Sequence, residues 1–551
     1  MPDEAPALPA PREVKVRVHD GIEIALALYM PAGDGPFPAL LAPSPYRYDN
    51  NILPASPQFL WRETGPIEFY LRHGYVYAFM DVRGCGRSGG EFRLLDRDEQ
   101  RDLYDVIEWL GRQPWSNGKV GGIGQSYFCM AQWWMAIQKP PSLACIAAFD
   151  GMNDPYRASV YQGGILGDFF GSYWWNQNRI INRHPANGAE PREQTCDLNL
   201  LVMQHPTYDD FWRERSAFER LHEIEVPTYS IGIWGKVDLH TRGNIEGFRR
   251  AKGPKKLRMN GPINAFVANR QFNSIELHET LLLPFYEHYL KGKETEYARR
   301  PAVEYFVRGA ETVRAAETWP PAGVRYVPWH LSAQKSGSVT SLNDGSLTRE
   351  PAAAGAPSTS YAYPNPGWMM GVVGMGPNNL PDPARRVLTF TTAPLAQDLE
   401  IAGPIKLTLH AASTRTDADF FVKLSEQLPQ AAEDRAKDLN PPSFWITKGW
   451  LRASHRALDP ARSTEMEPYH THVNPQPIEP GKVYAFDISI EPMAHRFKKG
   501  SRVRLEIVNG DSVVTDVLWT HYYTPNKIGT DTIHHSAAHP STLVLPVMEG
   551  A

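Results

Sequence analysis

The chain has 551 residues, 42% of them hydrophobic and 21% charged, with Lys+Arg 57 against Asp+Glu 61 and a net charge of -4. Such a length exceeds one hydrophobic core and implies several domains. The near-balanced charge leaves no electrostatic footprint for nucleic acid or an anionic membrane surface. No run approaches the roughly 18 apolar residues of a membrane helix, so neither nucleic acid nor membrane is expected as a partner. Met1-Pro2-Asp3-Glu4-Ala5 lacks the basic and apolar regions of a secretory signal. Cys85, Cys129, Cys145 and Cys196 have no metal-ligand spacing and read as reduced residues of a cytoplasmic protein.

In chain order, residues 13–31 alternate in the β manner, Val14, Val16 and Val18 on one side and Ile22 to Tyr29 after the Asp20-Gly21 turn, which predicts a hairpin. Phe37-Pro-Ala-Leu-Leu-Ala-Pro is a short apolar run of the buried-strand kind. A helix is predicted over 65–73 and a buried strand over 75–80. Residues 97–113 space Leu103, Val106, Ile107 and Leu110 helically behind acidic first turns. A strand over 119–124, a turn, a helix to about 138 and a strand over 144–149 follow. This alternation implies a parallel sheet covered on both faces.

From about 158 to 225 the period breaks into an aromatic cluster, Phe169, Phe170, Tyr173, Trp174 and Trp175, and polar helical stretches, read as a helical insertion capping a pocket. The α/β pattern resumes over 227–234 and ends in a helix from Ile275 to Leu290, stopped by Lys291-Gly292-Lys293. After about 297, short strand-like segments with Gly and Pro punctuation recur at 302–307, 387–390, 405–410, 419–424, 483–490, 503–507 and 542–547. They predict a β-sandwich of jelly-roll type. The domains are therefore expected at 1–157 and 226–296 (core), 158–225 (cap) and 297–551 (β-sandwich).

The chemistry-bearing motif is Val120-Gly-Gly-Ile-Gly-Gln-Ser126-Tyr-Phe128, a glycine-led turn between an apolar strand and an apolar helix. A nucleophilic serine needs that setting: a tight strained turn projects its Oγ from the sheet edge, beside helix N-terminal amides. Phe128 stands where the nucleophile elbow usually ends in Gly. The backbone N–H of Tyr127 is the first expected donor to an oxyanion. The glycines at 84–90 lack the Lys-Ser/Thr pair of a phosphate loop. His470, His472, His534, His535 and His539 lack metal-ligand spacing, so no cofactor or metal is called for.

Several segments together resemble the family of cocaine esterase, X-prolyl dipeptidyl peptidases and α-amino-acid ester hydrolases. They are Asp81-Val-Arg-Gly-Cys-Gly-Arg-Ser-Gly-Gly90, Trp115-Ser-Asn-Gly-Lys-Val-Gly121, Gly124-Gln-Ser-Tyr127, Pro141-Ser-Leu-Ala-Cys-Ile146, Leu239-His-Thr-Arg-Gly243, Phe285-Tyr-Glu-His-Tyr-Leu-Lys-Gly292 and Gly449-Trp-Leu-Arg-Ala-Ser-His-Arg456. The resemblance runs from about residue 12 to 548. It implies an α/β-hydrolase core with a helical cap and a C-terminal jelly roll, and acyl transfer from small-molecule esters or amides to water through a serine acyl-enzyme. It further implies Ser126 as nucleophile and the Tyr46 hydroxyl as the second oxyanion donor.

Asp238, in Trp234-Gly-Lys-Val-Asp238-Leu-His240-Thr241, sits where the triad acid is expected, before a helix that Thr241 can cap. In some relatives the acid falls two residues after the Trp, here Lys236, and an acidic residue before a helix is also favoured by the macrodipole alone. The family histidine belongs in Asn260-Gly-Pro-Ile-Asn-Ala265-Phe, where Ala265 stands instead, and no His occurs between 241 and 277. His240 in the neighbouring loop is the candidate base. His278, Lys236 or the absence of a base are the alternatives. Three functions stay open: a serine hydrolase with an atypical or incomplete triad, a degenerate relative that binds a ligand, and an acyltransferase using the same serine. A homodimer is left open.

Overall fold

The computed structural model describes residues 8–49, 63–185, 189–261, 265–351, 353–363, 374–508, 510–511, 520–522 and 524–549. They form two compact units: 1–158 with 171–205 and 210–305, and 159–170 with 206–209 and 306–551.

The first unit is built on strands β1 (Arg12–Arg17), β2 (Glu23–Tyr29), β3 (Phe37–Ser44), β4 (Val76–Asp81), β5 (Ser116–Gly122), β6 (Leu143–Phe149), β7 (Thr228–Ile233), β8 (Lys255–Asn260) and β9 (Val303–Val307). Their order is β1-β2-β4-β3-β5-β6-β7-β8-β9. β1 and β2 form the antiparallel hairpin expected around Asp20-Gly21, and β2 joins β4 antiparallel. From β4 onward neighbours are parallel, with Leu41 opposite both Ala78 and Gly122, and Ile146 opposite Thr228. β4 and β7 are buried at every residue. That is why they read as continuous apolar runs: helices lie on both faces of a parallel sheet.

The helices that bear on the site are α1 (Ile67–Arg72), α2 (Arg97–Gly111), α3 (Tyr127–Ile137), α4 (Thr241–Arg250) and α5 (Leu283–Lys291). α2 starts on a reciprocal cap: Asp96 accepts from the Glu99 amide and Glu99 accepts from the Leu95 amide. α3 is buried along its whole length. Trp133 lies against Gly247 of α4, so it packs one helix on the other. The continuous helix expected from Ile275 to Leu290 is broken. A short turn, Ile275–Leu277, passes into a π-helical turn, His278–Leu282, before α5. Pro284 has no N–H for an i−4 carbonyl, so the preceding turn widens.

The stretch expected as a purely helical insertion carries π-helical turns at Tyr156–Val160 and Phe169–Trp175, helices at Asn176–Arg183, Leu198–Gln204 and Asp210–Arg215, and a small hairpin, Tyr161–Gln162 with Ile165–Leu166. That hairpin belongs to the second unit, where Ile165 packs with Val387, Phe421, Trp450 and Val508.

Among the described residues the second unit holds an 11-stranded sheet. Its frame is β10 (Val324–Ser332), β11 (Leu399–Ser413), β12 (Asp419–Gln427), β13 (Ser443–Arg452), β14 (Tyr484–Phe497), β15 (Arg502–Val508) and β16 (Thr542–Met548). β16 pairs with both β10 and β11, so the sheet closes on itself in barrel fashion. No helix among the described residues is long and apolar enough to cross a membrane.

Candidate active site

The turn after β5 has the backbone that its glycines require. Gly124 lies at φ +116, and a Cβ there would fall 2.4 Å from the Phe128 Cβ. Ser126 itself takes φ +62. A non-glycine residue holds such a conformation only when its surroundings over-determine it. Here three hydrogen bonds do so: Gln125 N–H to the Glu63 carbonyl at 2.8 Å, Ser126 N–H to the Asp150 carbonyl at 2.9 Å, and Met130 N–H to the Ser126 carbonyl at 3.0 Å. Phe128, in place of the usual Gly, turns its ring onto Phe79 at 5.4 Å and Tyr46 at 5.9 Å.

His240 Nε2 stands 3.1 Å from the Ser126 Oγ. The Tyr46 hydroxyl and the Glu63 carboxyl are buried nearby, and Ser126 opposes the burial that raises the pKa of each. Tyr46 lies on the loop after β3, fixed by buried Arg47, which grips Asp49 through two bonds of 2.9 Å and reaches the Asn182 carbonyl. Its hydroxyl accepts from Trp174 Nε1 at 3.0 Å. Burial raises its pKa well above the usual tyrosine value, so it stays a proton donor. Tyr127 opens α3, where a first-turn N–H has no intrahelical acceptor. Its ring stacks on Trp174 at 6.0 Å and its hydroxyl donates to Glu99 at 2.7 Å.

His240 precedes α4, and its other nitrogen is occupied as well: Nδ1 accepts from the Met152 N–H at 3.1 Å. With that lone pair used, the neutral ring carries its proton on Nε2 and donates to Ser126. Burial drives its pKa down to about 3, with Asp150 opposing and Lys236 assisting. Asp238 is buried in the turn before α4, but the two imidazole nitrogens are engaged by Ser126 and Met152, and neither is bonded to Asp238. The helix cap expected from Thr241 is not made. Thr241 is already helical, and its hydroxyl donates back to the Ile233 carbonyl at 2.7 Å.

Lys236 is tied into a buried polar group under the elbow. Its Nζ is 2.7 Å from Asp150 Oδ2 and 3.1 Å from Asn269 Oδ1. The Gln125 amide donates to the same two oxygens at 2.7 and 2.8 Å. His278 is structural: it is bonded to the Tyr70 hydroxyl through Nδ1 and to the Phe272 carbonyl through Nε2, both at 2.6 Å. The loop 262–264 lies outside the described residues, and Ala265 begins a helix, Ala265–Phe272. The described residues contain no cluster of His, Cys, Asp or Glu able to hold a metal ion.

Sequence reasoning did not reach Glu63, Asp150 or Asn269. Asp150 follows β6 directly, at the carboxyl end of a parallel strand where functional groups collect in such sheets. That position was the available signal.

A parallel sheet covered by helices, with a strained serine at the head of a buried helix, defines the class of serine hydrolases. Residues 20–262 match the model of the X-Pro dipeptidyl-peptidase (S15 family), and residues 295–544 that of the X-Pro dipeptidyl-peptidase C-terminal non-catalytic domain. The chain is 26% identical over 598 residues to the cocaine esterase of Rhodococcus sp., across 97% of this chain and 98% of that protein. A CocE/NonD family hydrolase from Staphylococcus aureus superposes with a TM-score of 0.78 at 25% identity, covering 98% of this chain and 93% of the other. An α-amino acid ester hydrolase structure shares the fold, with a TM-score of 0.75 at 19% identity over 99% and 98% of the two chains. The chain therefore carries the S15 hydrolase domain followed by that family's C-terminal domain, and belongs to the serine hydrolases so built.

Proposed function

We propose that the chain hydrolyses small esters or amides through an acyl-enzyme on Ser126. The carrying observation is the strained Ser126 with His240 Nε2 3.1 Å from its hydroxyl. The strand order and the place of the serine support an α/β-hydrolase core, with the insertion over 158–225 as its cap and the closed C-terminal sheet as a jelly roll. The Tyr127 N–H and the Tyr46 hydroxyl form the oxyanion hole: they flank the serine, and donors there act on the charge that develops on the carbonyl oxygen. Relatives named as an esterase and an ester hydrolase favour esters as the first substrates to try.

A fluorophosphonate probe and p-nitrophenyl acetate test the reading, with wild type beside Ser126→Ala. Labelling and turnover that vanish in Ser126→Ala are expected. A folded wild type that neither labels nor turns over the ester would point instead to ligand binding without catalysis.

A further inference from the structure

We propose that His240 serves Ser126 as a fixed hydrogen-bond donor and not as its base, which makes the site selective for esters whose leaving group departs as an anion; this rests on Ser126 being the nucleophile. His240 Nε2 stands 3.1 Å from the Ser126 Oγ, and Nδ1 accepts the Met152 N–H at 3.1 Å. A neutral imidazole has one N–H and one lone pair. A main-chain N–H can only donate, so Met152 claims the lone pair and the ring proton lies on Nε2. A base at Oγ needs that proton on Nδ1, where it would face the Met152 N–H, donor against donor.

The loop that supplies this N–H is wedged between two helices. The Gly151 N–H donates to Asn244 Oδ1 at 3.1 Å, and Asn153 Nδ2 donates to the Gly243 carbonyl at 2.7 Å, both in the first turn of α4. Gly243 lets the loop come close: a Cβ there would lie 2.5 Å from the Gly151 carbonyl oxygen and 2.6 Å from the Met152 Cα. On the other side, a Cβ on Gly151 would meet the Cys129 Cβ of α3 at 2.5 Å. The histidine is fixed as firmly by its own main chain. Its N–H donates to the Lys236 carbonyl at 2.8 Å, and its carbonyl accepts from the Gly243 N–H at 2.9 Å. Neither partner of the Nδ1 bond is therefore free to turn away and release the other tautomer.

Asp150 and Lys236 are the charged groups beside the ring, and they pair with one another at 2.7 Å. Asp238, in the turn before α4, bonds to neither imidazole nitrogen. Glu63 and Tyr46 are buried on the serine side. No carboxylate thus draws a ring proton to Nδ1, which is the service a triad acid renders. Burial keeps the imidazole neutral, with its pKa pushed down to about 3. A ring of that weak basicity neither takes a proton from Ser126 readily nor stores one for a leaving atom.

Hydroxide from solvent takes the Ser126 proton, forming water, as Oγ bonds to the acyl carbon and the carbonyl electron pair moves onto oxygen. The Nε2–H stays on His240 throughout and stabilises the charge that gathers on Oγ. On collapse the carbonyl reforms and the leaving group departs with the bonding electron pair. A phenolate leaves in this way, whereas an amide nitrogen must first be protonated, and His240 has no proton to give it. A second hydroxide adds to the acyl-enzyme. Oγ then leaves as an alkoxide held by the same Nε2–H and takes a proton from water as the acid is released.

The test is kcat/KM of the full chain against pH and against leaving group, after subtraction of the Ser126→Ala rate, with fluorophosphonate labelling in parallel. With p-nitrophenyl acetate, wild type should climb about tenfold per pH unit through about pH 9, past the range in which a histidine titrates. His240→Gln keeps an N–H at this place and should stay within about tenfold of wild type, whereas loss of a base costs about 10²–10⁴-fold. His240→Leu should lose about 10²–10³-fold, as for one donor. At fixed pH the constant should fall steeply from p-nitrophenyl to phenyl to ethyl acetate, with p-nitroacetanilide at least about 10²-fold below phenyl acetate. Should His240→Leu not fold, the wild-type pH profile, His240→Gln and the leaving-group series decide. Three results overturn the proposal: a plateau with its midpoint below about pH 9, a His240→Gln enzyme closer to His240→Leu than to wild type, or p-nitroacetanilide cleaved within about 10²-fold of phenyl acetate. Any of these with Ser126-dependent labelling intact leaves the acyl-enzyme reading standing. Absence of labelling in folded wild type overturns both.

Discussion

The imidazole of His240 is held between the Ser126 hydroxyl and the Met152 amide, 3.1 Å on either side, so that one edge donates and the other accepts. Such a ring is fixed in place and kept neutral. Its protonation has been traded for burial, and the trade has a consequence for stability.

The folded chain holds His240 unprotonated down to about 3, whereas an unfolded histidine takes up its proton near 6.5. Between those values the unfolded state binds the extra proton, so stability falls as pH falls through that window. His240→Gln removes this term. Urea midpoints measured at neutral pH and at mildly acid pH should drop less in His240→Gln than in wild type. Equal drops in the two proteins would place the acid sensitivity elsewhere.

Tyr46→Phe keeps the ring against Phe128 and Tyr127 but deletes the hydroxyl beside Ser126. If that hydroxyl acts on the oxyanion, kcat should fall about 10²–10³-fold, as for the loss of one oxyanion donor, with KM little changed. Steady-state kinetics on p-nitrophenyl acetate separates the two constants. A rise in KM at constant kcat would make Tyr46 a binding group instead.

How much of this was legible in the chain depended on whether a feature is local. The elbow could be read because Gly124 and Ser126 mark a backbone conformation within a few residues, and the parallel strands because burial on both faces leaves continuous apolar runs. Glu63 could not: no spacing connects it to Ser126, and a main-chain bond from Gln125 brings it beside the turn. Lys236 and Asp150 are likewise joined from the ends of different strands. Strand β10 escaped because Pro328 interrupts it and only Val327 and Leu331 are buried, and β13 because Lys448 and Gly449 interrupt its apolar pattern.

Gly124→Ala tests the elbow itself. The new methyl would sit 2.4 Å from the Phe128 Cβ, at a φ of +116 that side chains rarely adopt. Overpacking and backbone strain each cost about 1–3 kcal/mol. A loss of roughly 2–6 kcal/mol in chemical unfolding is expected, with fluorophosphonate labelling reduced in whatever protein remains folded. Near-native stability and labelling would mean that the turn relaxes without cost.

Lys236→Met removes the cation that opposes the burial of Glu63 and leaves Asp150 without its ion partner. Breaking a buried pair from one side costs about 3–5 kcal/mol, because the remaining charge stays uncompensated. Because the Gln125 amide donates to the same Asp150 and Asn269 oxygens as Lys236, the loss should reach the turn that carries Ser126. Urea unfolding should show the lower stability, and fluorophosphonate labelling of the folded fraction should slow. A midpoint and a labelling rate equal to wild type would mean that the pair carries no net stability and does not hold the turn.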